Sequence, residues 1–251
     1  MTELPSGTVT FLFTDIEEST TLLRTLGDGY AELVREHRRV LSEIAEGSGG
    51  VVYGAFADEI SAVFRTPAEA VATASSGQRS FAAASLPGGV KVRVRMGIHT
   101  GRPVAGAGEY LGLDVHRTAR ICSAGHGGQV LLSEAARNAF ADASPVGVAF
   151  RDLGTHELKG LPEPERLFQL LITGARNEFP PLRVGALSPE LPDFPGRPGE
   201  LVRSLQAALT RLRTRRHANT LEHDQVSTTE RFVLPATQLL EDRVRRGRTD
   251  E

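Results

Sequence analysis

Residues 8–14, TVTFLFT, form an unbroken β-branched and aromatic run that ends directly on Asp15. Such a run has no polar side to offer to water. It fits a central strand covered on both faces, so the chain must supply one layer above it and another below. The next segment supplies the first candidate. Leu22, Leu23, Leu26, Tyr30, Leu33, Val34, His37, Val40, Leu41 and Ile44 recur at helical spacing, and Gly27 and Gly29 predict a break into two helices. Gly47 to Gly50 stops the pattern before a hairpin of Val51–Phe56 and Ile60–Phe64.

Thr66-Pro67 opens an alanine-rich helix over 68–84, with proline at its favoured first turn. Val90, Val92, Val94, Met96 and Ile98 then alternate with polar or small residues, which predicts a half-exposed strand with Arg93 and Arg95 on its outer face. A helix over 115–123, a strand over 129–132, a helix over 133–140 and strands near 148–152 and 166–171 complete the pattern. The order reads as an α+β fold, a ferredoxin-like βαββαβ core with an α/β C-terminal extension. Residues 1–172 read as this domain. Residues 173–200 read as a linker, with six prolines in the 23 residues EFPPLRVGALSPELPDFPGRPGE. Residues 201–251 read as a short helical and partly disordered tail, whose Arg211, Arg213, Arg215 and Arg216 fit a solvated helix face.

Composition limits the function classes. A net charge of −2 gives no field for nucleic acid or membrane surfaces. The single cysteine, Cys122, allows no intrachain disulfide and fits a small core residue. No apolar run approaches the roughly 18 residues of a membrane span, and MTELPSG lacks the pattern of a signal peptide, so a cytoplasmic location is expected.

Two carboxylates stand at chemically suggestive places. Asp15 ends the apolar run, and Asp58 sits at the hairpin tip, beside Glu59, which reads as solvent-facing. In a βαββ unit the first strand lies beside the hairpin, so both aspartates reach one point. With the Ile16 carbonyl they make a hard-oxygen set suited to Mg²⁺ or Mn²⁺ carrying phosphates. The residues Ile16, Glu17, Glu18, Ser19 and Thr20 lead into a helix, so their N–H groups suit phosphate oxygens. The alternative for both aspartates is a cap or a solvated turn. His99 in GIHTG reads as a strand residue satisfied locally.

The stretch GTVTFLFTDIEEST (7–20) resembles the opening signature of class III nucleotidyl cyclases, the adenylate/guanylate cyclase catalytic domain, in its bacterial type. The resemblance continues through GGVVYGAFADEISAVF, VRVRMGIHTG, YLGLDVHRTARI, GHGGQVLLSE and RDLGTHELKGLPEPERLFQL, in order over residues 7–171. It implies a homodimer with sites at the interface, ATP or GTP as substrate, and a 3′,5′-cyclic nucleotide and pyrophosphate as products. It also implies two Mg²⁺ or Mn²⁺ ions, with Asp15 and Asp58 matching the metal-binding aspartates. Arg120 matches the arginine that stabilises charge on the triphosphate, and Lys159 lies near the place of a phosphate-contacting lysine.

This chain departs from the family's pattern at several positions. Gly54 stands where a purine-reading lysine is usual, and Glu109 falls on the second base-reading position. Ala57 replaces a glycine, and His116 replaces the ribose-orienting asparagine while keeping a ring N–H donor. Loss of purine hydrogen bonds relaxes base selectivity, so weak ATP/GTP discrimination and low turnover are expected. The rival reading is a catalytically silent homology domain that binds nucleotide or only dimerises. Diguanylate cyclases share the core, but their paired turn glycines are missing from FADEI. The proline-rich tail resembles a linker to a signalling ATPase; no GxxxxGK[ST] loop follows it, so such a regulatory or ATPase partner is expected as a separate protein.

Overall fold

The computed structural model describes residues 4–84, 91–106, 109–140 and 147–184. The apolar run is strand β1 (Val9–Ile16), buried along nearly its whole length. Its two-residue alternation sorts Leu12 and Ile16 onto one face and Val9, Phe11 and Phe13 onto the other. The helical pattern gives α1 (Ser19–Leu26) and α2 (Gly29–Gly47), separated where the two glycines predict. The hairpin of β2 (Val51–Phe56) and β3 (Glu59–Phe64) follows, then α3 (Pro67–Ala83). The start of α3 is fixed by a capping box: Thr66 Oγ1 accepts from the Glu69 N–H, and the Glu69 carboxylate accepts from the Thr66 N–H.

Strand β4 (Val94–Gly101) pairs antiparallel with β1, which pairs antiparallel with β3 on its other edge. With β2 outside β3, the order β2-β3-β1-β4 is the split βαβ plan expected of a ferredoxin-like core. The extension adds a hairpin of β5 (Val104–Gly106) and β6 (Glu109–Leu111), helix α4 (Leu113–Ala124), β7 (Val130–Ser133), α5 (Glu134–Asn138), β8 (Val148–His156) and β9 (Glu165–Ile172). β7 runs parallel to β4, and β9 and β8 continue the sheet to seven strands.

One layer packs α2 and α3 on the sheet through Leu33, Leu41, Val71, Ala74 and Phe81, against Leu12, Ile60, Phe64 and Met96. The opposite face carries Phe11, Phe13, Val63, Tyr110 and Cys122. There Tyr110 meets Phe11 at 5.2 Å and Tyr53 at 5.1 Å, both edge-on, and donates its hydroxyl to the Pro5 carbonyl at 2.6 Å. The β5–β6 hairpin that presents Tyr110 is not foreseen from its sequence, because strands of three residues carry too little alternation to read.

The expectation of a half-exposed β4 is corrected. Val92, Val94, Met96 and Ile98 are buried and Arg93 is exposed, as the alternation predicts, but Gly97 and His99 on the other face are buried as well, because the strand lies between β1 and β7 with helices on both sides. Gly97 makes room for α4: a Cβ there would lie 2.5 Å from the Cys122 backbone nitrogen. The expected helix over 201–216, the rest of the tail and Val90 lie outside the described residues.

Two local conflicts carry consequences for stability. His37 is fully buried on α2 with its ring 5.4 Å from Phe81, and neither ring nitrogen has a partner among the described residues. Burial, helped by the neighbouring Arg38 charge, holds its pKa down at about 4 from an ordinary 6.5. Between those two values the unfolded chain takes up a proton that the folded chain refuses. Stability is therefore intact above the unfolded pKa and falls as pH drops toward 4, by at most about 3 kcal/mol. His37→Phe should flatten the slope of urea stability between pH 6.5 and 4; an unchanged slope refutes this account.

The second conflict is Ala57, which takes φ 47 at the hairpin tip. A left-handed alanine costs roughly 1–2 kcal/mol, and Ala57→Gly adds about 0.4–1 kcal/mol of unfolded-state entropy. The exchange should stabilise the fold by about 0.5–1 kcal/mol, seen as a raised urea midpoint. A lowered midpoint would show the strain to be absent.

Candidate active site

The end of β1 and the tip of the β2–β3 hairpin converge because β3 lies directly beside β1. Thr14 is in register with Ile60, which places Asp58 next to the last residues of β1. The Asp58 Oδ2 atom accepts the Ile16 N–H at 3.3 Å. Asp15 shares the parity of Phe11 and Phe13, so its side chain leaves β1 on the aromatic face. The tip itself is held from α2, where the Arg38 guanidinium donates to the Ala57 carbonyl through Nε at 3.0 Å.

Register also explains the strongest ion pair. Asp15 is directly opposite Arg95 on β4, and the guanidinium meets both carboxylate oxygens at 2.6 Å. The side chains are only 28% and 18% exposed, which places Arg95 inside the site and corrects the expectation of an outer-face residue. Alternation alone put Arg95 in water, since it carries no information about a carboxylate on the neighbouring strand. Burial pushes the Asp15 carboxyl above its ordinary range; Arg95 opposes this, and the Asp58 charge adds to it. Glu59 is likewise pushed up by burial and by the Asp15 and Asp58 charges, against a hydrogen bond from Ser61. These three carboxylates sense one another, so a cation placed among them is favoured electrostatically.

The donor set fits a hard divalent ion. Among the described residues no cluster of three or more His, Cys, Asp or Glu side chains is arranged for a metal ion. Magnesium, however, is commonly held by one or two carboxylates together with substrate phosphates. Asp15, Asp58 and the Ile16 carbonyl form a donor set of that size. Asp15 must then exchange its Arg95 partner for the ion.

The turn after β1 is shaped for anions. Glu18 takes a left-handed φ of 57 and precedes the first turn of α1 at Ser19 and Thr20. With Ala57 it is one of two non-glycine residues at positive φ among the described residues, and both flank the acidic pair. Glu17 points the other way. It is buried, paired to Arg93 at 3.0 Å and to Arg183 at 2.8 Å. Burial alone would raise its pKa, but the Gly127 N–H and the two arginines outweigh that and hold it below the carboxylate range.

The remaining expected residues lie apart from this point. His116 is exposed and Arg120 half-buried, one helical turn apart on α4. No hydrogen bond or ion pair joins either to Asp15 or Asp58 among the described residues. Lys159 is exposed in the turn between β8 and β9, and Glu109 is exposed on β6. Gly54 sits at a register shift of β2, where an added Cβ would lie 3.3 Å from the Ser61 Cβ. His99 finds its local partners, Ser133 Oγ at 2.8 Å and Asp114 Oδ1 at 3.1 Å, as expected of a strand residue. Cys122 is a buried core residue.

Comparison with known proteins shows the family. Residues 1–172 match the family profile described as the adenylate and guanylate cyclase catalytic domain. An uncharacterized protein of Mycobacterium tuberculosis is 37% identical over 187 residues, covering 74% of this chain; the chain spans 63% of that relative's length. A receptor-type adenylate cyclase of Trypanosoma brucei brucei is 28% identical over 222 residues, covering 72% of this chain and 18% of its own. A solved Trypanosoma brucei adenylate cyclase structure superposes with a TM-score of 0.65 at 26% identity, covering 73% of this chain and 97% of that one. Among the described residues no helix is long and apolar enough to cross a membrane. From its apolar first strand to its last β-hairpin, this chain belongs to the adenylate and guanylate cyclase catalytic domain family.

Proposed function

We propose that the protein converts ATP, and GTP with little discrimination, to a 3′,5′-cyclic nucleotide and pyrophosphate, at sites shared between two copies. The observation that carries this reading is the convergence of Asp15 and Asp58 beside an anion-shaped turn. The ribose 3′-hydroxyl gives up its proton to solvent as its oxygen forms a bond to the α-phosphorus, the bond from that phosphorus to the bridging oxygen of the β-phosphate breaks, and pyrophosphate leaves with that oxygen. Two Mg²⁺ or Mn²⁺ ions would supply Lewis acidity toward the ribose hydroxyl and neutralise triphosphate charge. Asp15, Asp58 and the Ile16 carbonyl would hold them. The N–H groups of residues 18–20 receive phosphate oxygens, since those of Ile16 and Glu17, expected to do the same, are taken by Asp58 and by the Arg93 carbonyl. Arg95, paired with Asp15 in the structure, would offer a positive charge to the phosphates if Asp15 engaged a cation.

Neither Arg120 nor His116 bonds to the acidic pair of its own chain among the described residues, which suits a site completed by the α4 of a second copy. The exposed apolar side chains support such a partner. Phe56 is 83% exposed beside the hairpin tip, and Val104 and Leu111, directly opposite each other, are 68% and 60% exposed. In that arrangement Arg120 meets charge on the triphosphate, His116 offers a ring N–H to the ribose, and Lys159 reaches a terminal phosphate. Gly54 and Glu109 leave the purine edge without the usual donor, which lowers selectivity and turnover together.

The decisive assay is cyclic nucleotide formation by purified protein with Mn²⁺ and ATP or GTP. Product should form with both nucleotides at kcat/KM values within about tenfold of each other. Asp58→Ala should remove at least about 10²-fold of the rate. A wild type with no product above that variant overturns the enzyme reading in favour of a silent module.

Mixing Asp58→Ala with Arg120→Ala protein should restore product that neither makes alone, because one hybrid site keeps both groups; no recovery would argue for sites within one chain. Leu111→Asp should shift sedimentation toward the monomer and lower activity in proportion. Full activity from a monomer refutes the shared site.

A further inference from the structure

The chain does not leave the domain at the end of β9. Residues 173–184 continue across its surface as an extended strap without helix or strand. Asn177 anchors its start, accepting from the Ile172 N–H at 2.9 Å and donating to the Ile172 carbonyl at 3.1 Å. Arg151 of β8 pairs with Glu178 at 2.7 Å. Pro180 and Pro181 hold φ near an extended value. Leu182 and Val184 then pack against the cluster of Ile121, Leu131, Leu158 and Leu167. Alternation in the extended chain sends Arg183 to the other side. Its backbone N–H donates to the Ala124 carbonyl at 2.9 Å, and its guanidinium reaches Glu17 Oε1 at 2.8 Å.

The surroundings fix that guanidinium. His126 Nε2 lies 2.9 Å from the Pro181 carbonyl, a contact that needs a proton on Nε2. Nδ1 is then an acceptor, and Arg183 Nε lies 3.3 Å from it. Glu17 is two residues after Asp15, and its own backbone N–H donates to the Arg93 carbonyl at 2.8 Å. Its carboxylate is 7% exposed and held by Arg93 on one oxygen and Arg183 on the other. Removing one of the two arginines that, with the Gly127 N–H, hold this buried carboxylate leaves its charge less well compensated, so the side chain turns toward water and takes the turn with it.

We propose that Arg183 is a positioning residue of the nucleotide site: through the buried Glu17 carboxylate it fixes the turn of residues 16–20, making the strap a working component of that site. The inference rests on the cyclase reading for its kinetic consequence, and on the structure alone for its conformational one. The strap enters the chemistry at a single ion pair. A residue 166 positions beyond Glu17 thereby sets the geometry of amides that receive phosphate.

The test uses the full chain with Arg183→Ala, Arg183→Gln and Arg183→Lys. Amide hydrogen exchange over residues 15–21 is measured without nucleotide. Binding of a non-hydrolysable methylene analogue of ATP with Mn²⁺ is measured by calorimetry. Arg183→Ala and Arg183→Gln should speed exchange in this turn but not in β4, weaken the analogue and raise KM by about tenfold, and change kcat by less than about threefold. Arg183→Lys should recover most of both effects, because it restores the charge opposite Glu17. Unchanged exchange in the turn with unchanged analogue affinity overturns the proposal. Equal losses in kcat and KM that lysine does not rescue also overturn it, marking Arg183 as merely structural. A wild type that makes no cyclic nucleotide defeats the cyclase reading, and turn exchange then decides the role of Arg183 by itself.

Discussion

The structure turns on the sequestration of β1. Both its edges are paired, to β3 and to β4, and both its faces are covered, one by α2 and α3 and the other by the aromatic cluster around Tyr110. Six consecutive residues, Val9 to Thr14, meet those four boundaries with apolar or β-branched side chains, and the polar Thr10 bonds to Thr100 across the pair at 2.9 Å. Asp15 is the first residue that cannot. A carboxylate there must find a positive charge or carry a proton, because burial raises the cost of its ionised form. Arg95 stands opposite in register and supplies the charge.

That requirement links fold to chemistry. Arg95 neutralises Asp15 in the structure, and on the proposed function the same pair would have to rearrange for a cation and phosphates. Burial is the main reason the Asp15 and Glu59 carboxyls are pushed up, and the Asp58 charge adds to it at both. Residual repulsion of this kind lowers the cost of inserting a divalent ion. The strained backbone at Glu18 and Ala57 belongs to the same pattern: left-handed non-glycine residues persist where surrounding packing over-determines them.

Much of this was legible from the sequence because burial leaves a periodic trace. The β1 run, the two-helix break at Gly27 and Gly29, the β2–β3 hairpin and the Thr66-Pro67 helix start all follow local rules, and the elements appear where those rules place them. The family signature added the aspartate pair, whose juxtaposition the structure supports through Asp58 and Ile16. The misreadings share one physical origin. Arg95 and the outer face of β4 read as solvent-facing because alternation describes one strand at a time, whereas the burial of much of that face is decided by Asp15 on the next strand and by a helix that Gly97 admits. The β5–β6 hairpin and the Arg183–Glu17 pair depend on contacts far apart in sequence and leave no period at all.

Phosphate handling and base reading separate along the same lines. On the proposed function, phosphate contacts fall to backbone amides and to charges whose positions are set by β1 register, and base contacts to the margins, at Gly54 on β2 and Glu109 on β6. Gly54 lies at a register shift, and a Cβ there presses on Ser61 at 3.3 Å, so even a lysine would require the strands to part by a few tenths of an ångström. The hairpin has settled around the smaller residue. Restoring a purine-reading lysine at that position therefore means adjusting the β2–β3 pairing that carries Asp58, and selectivity and metal placement are coupled through the hairpin.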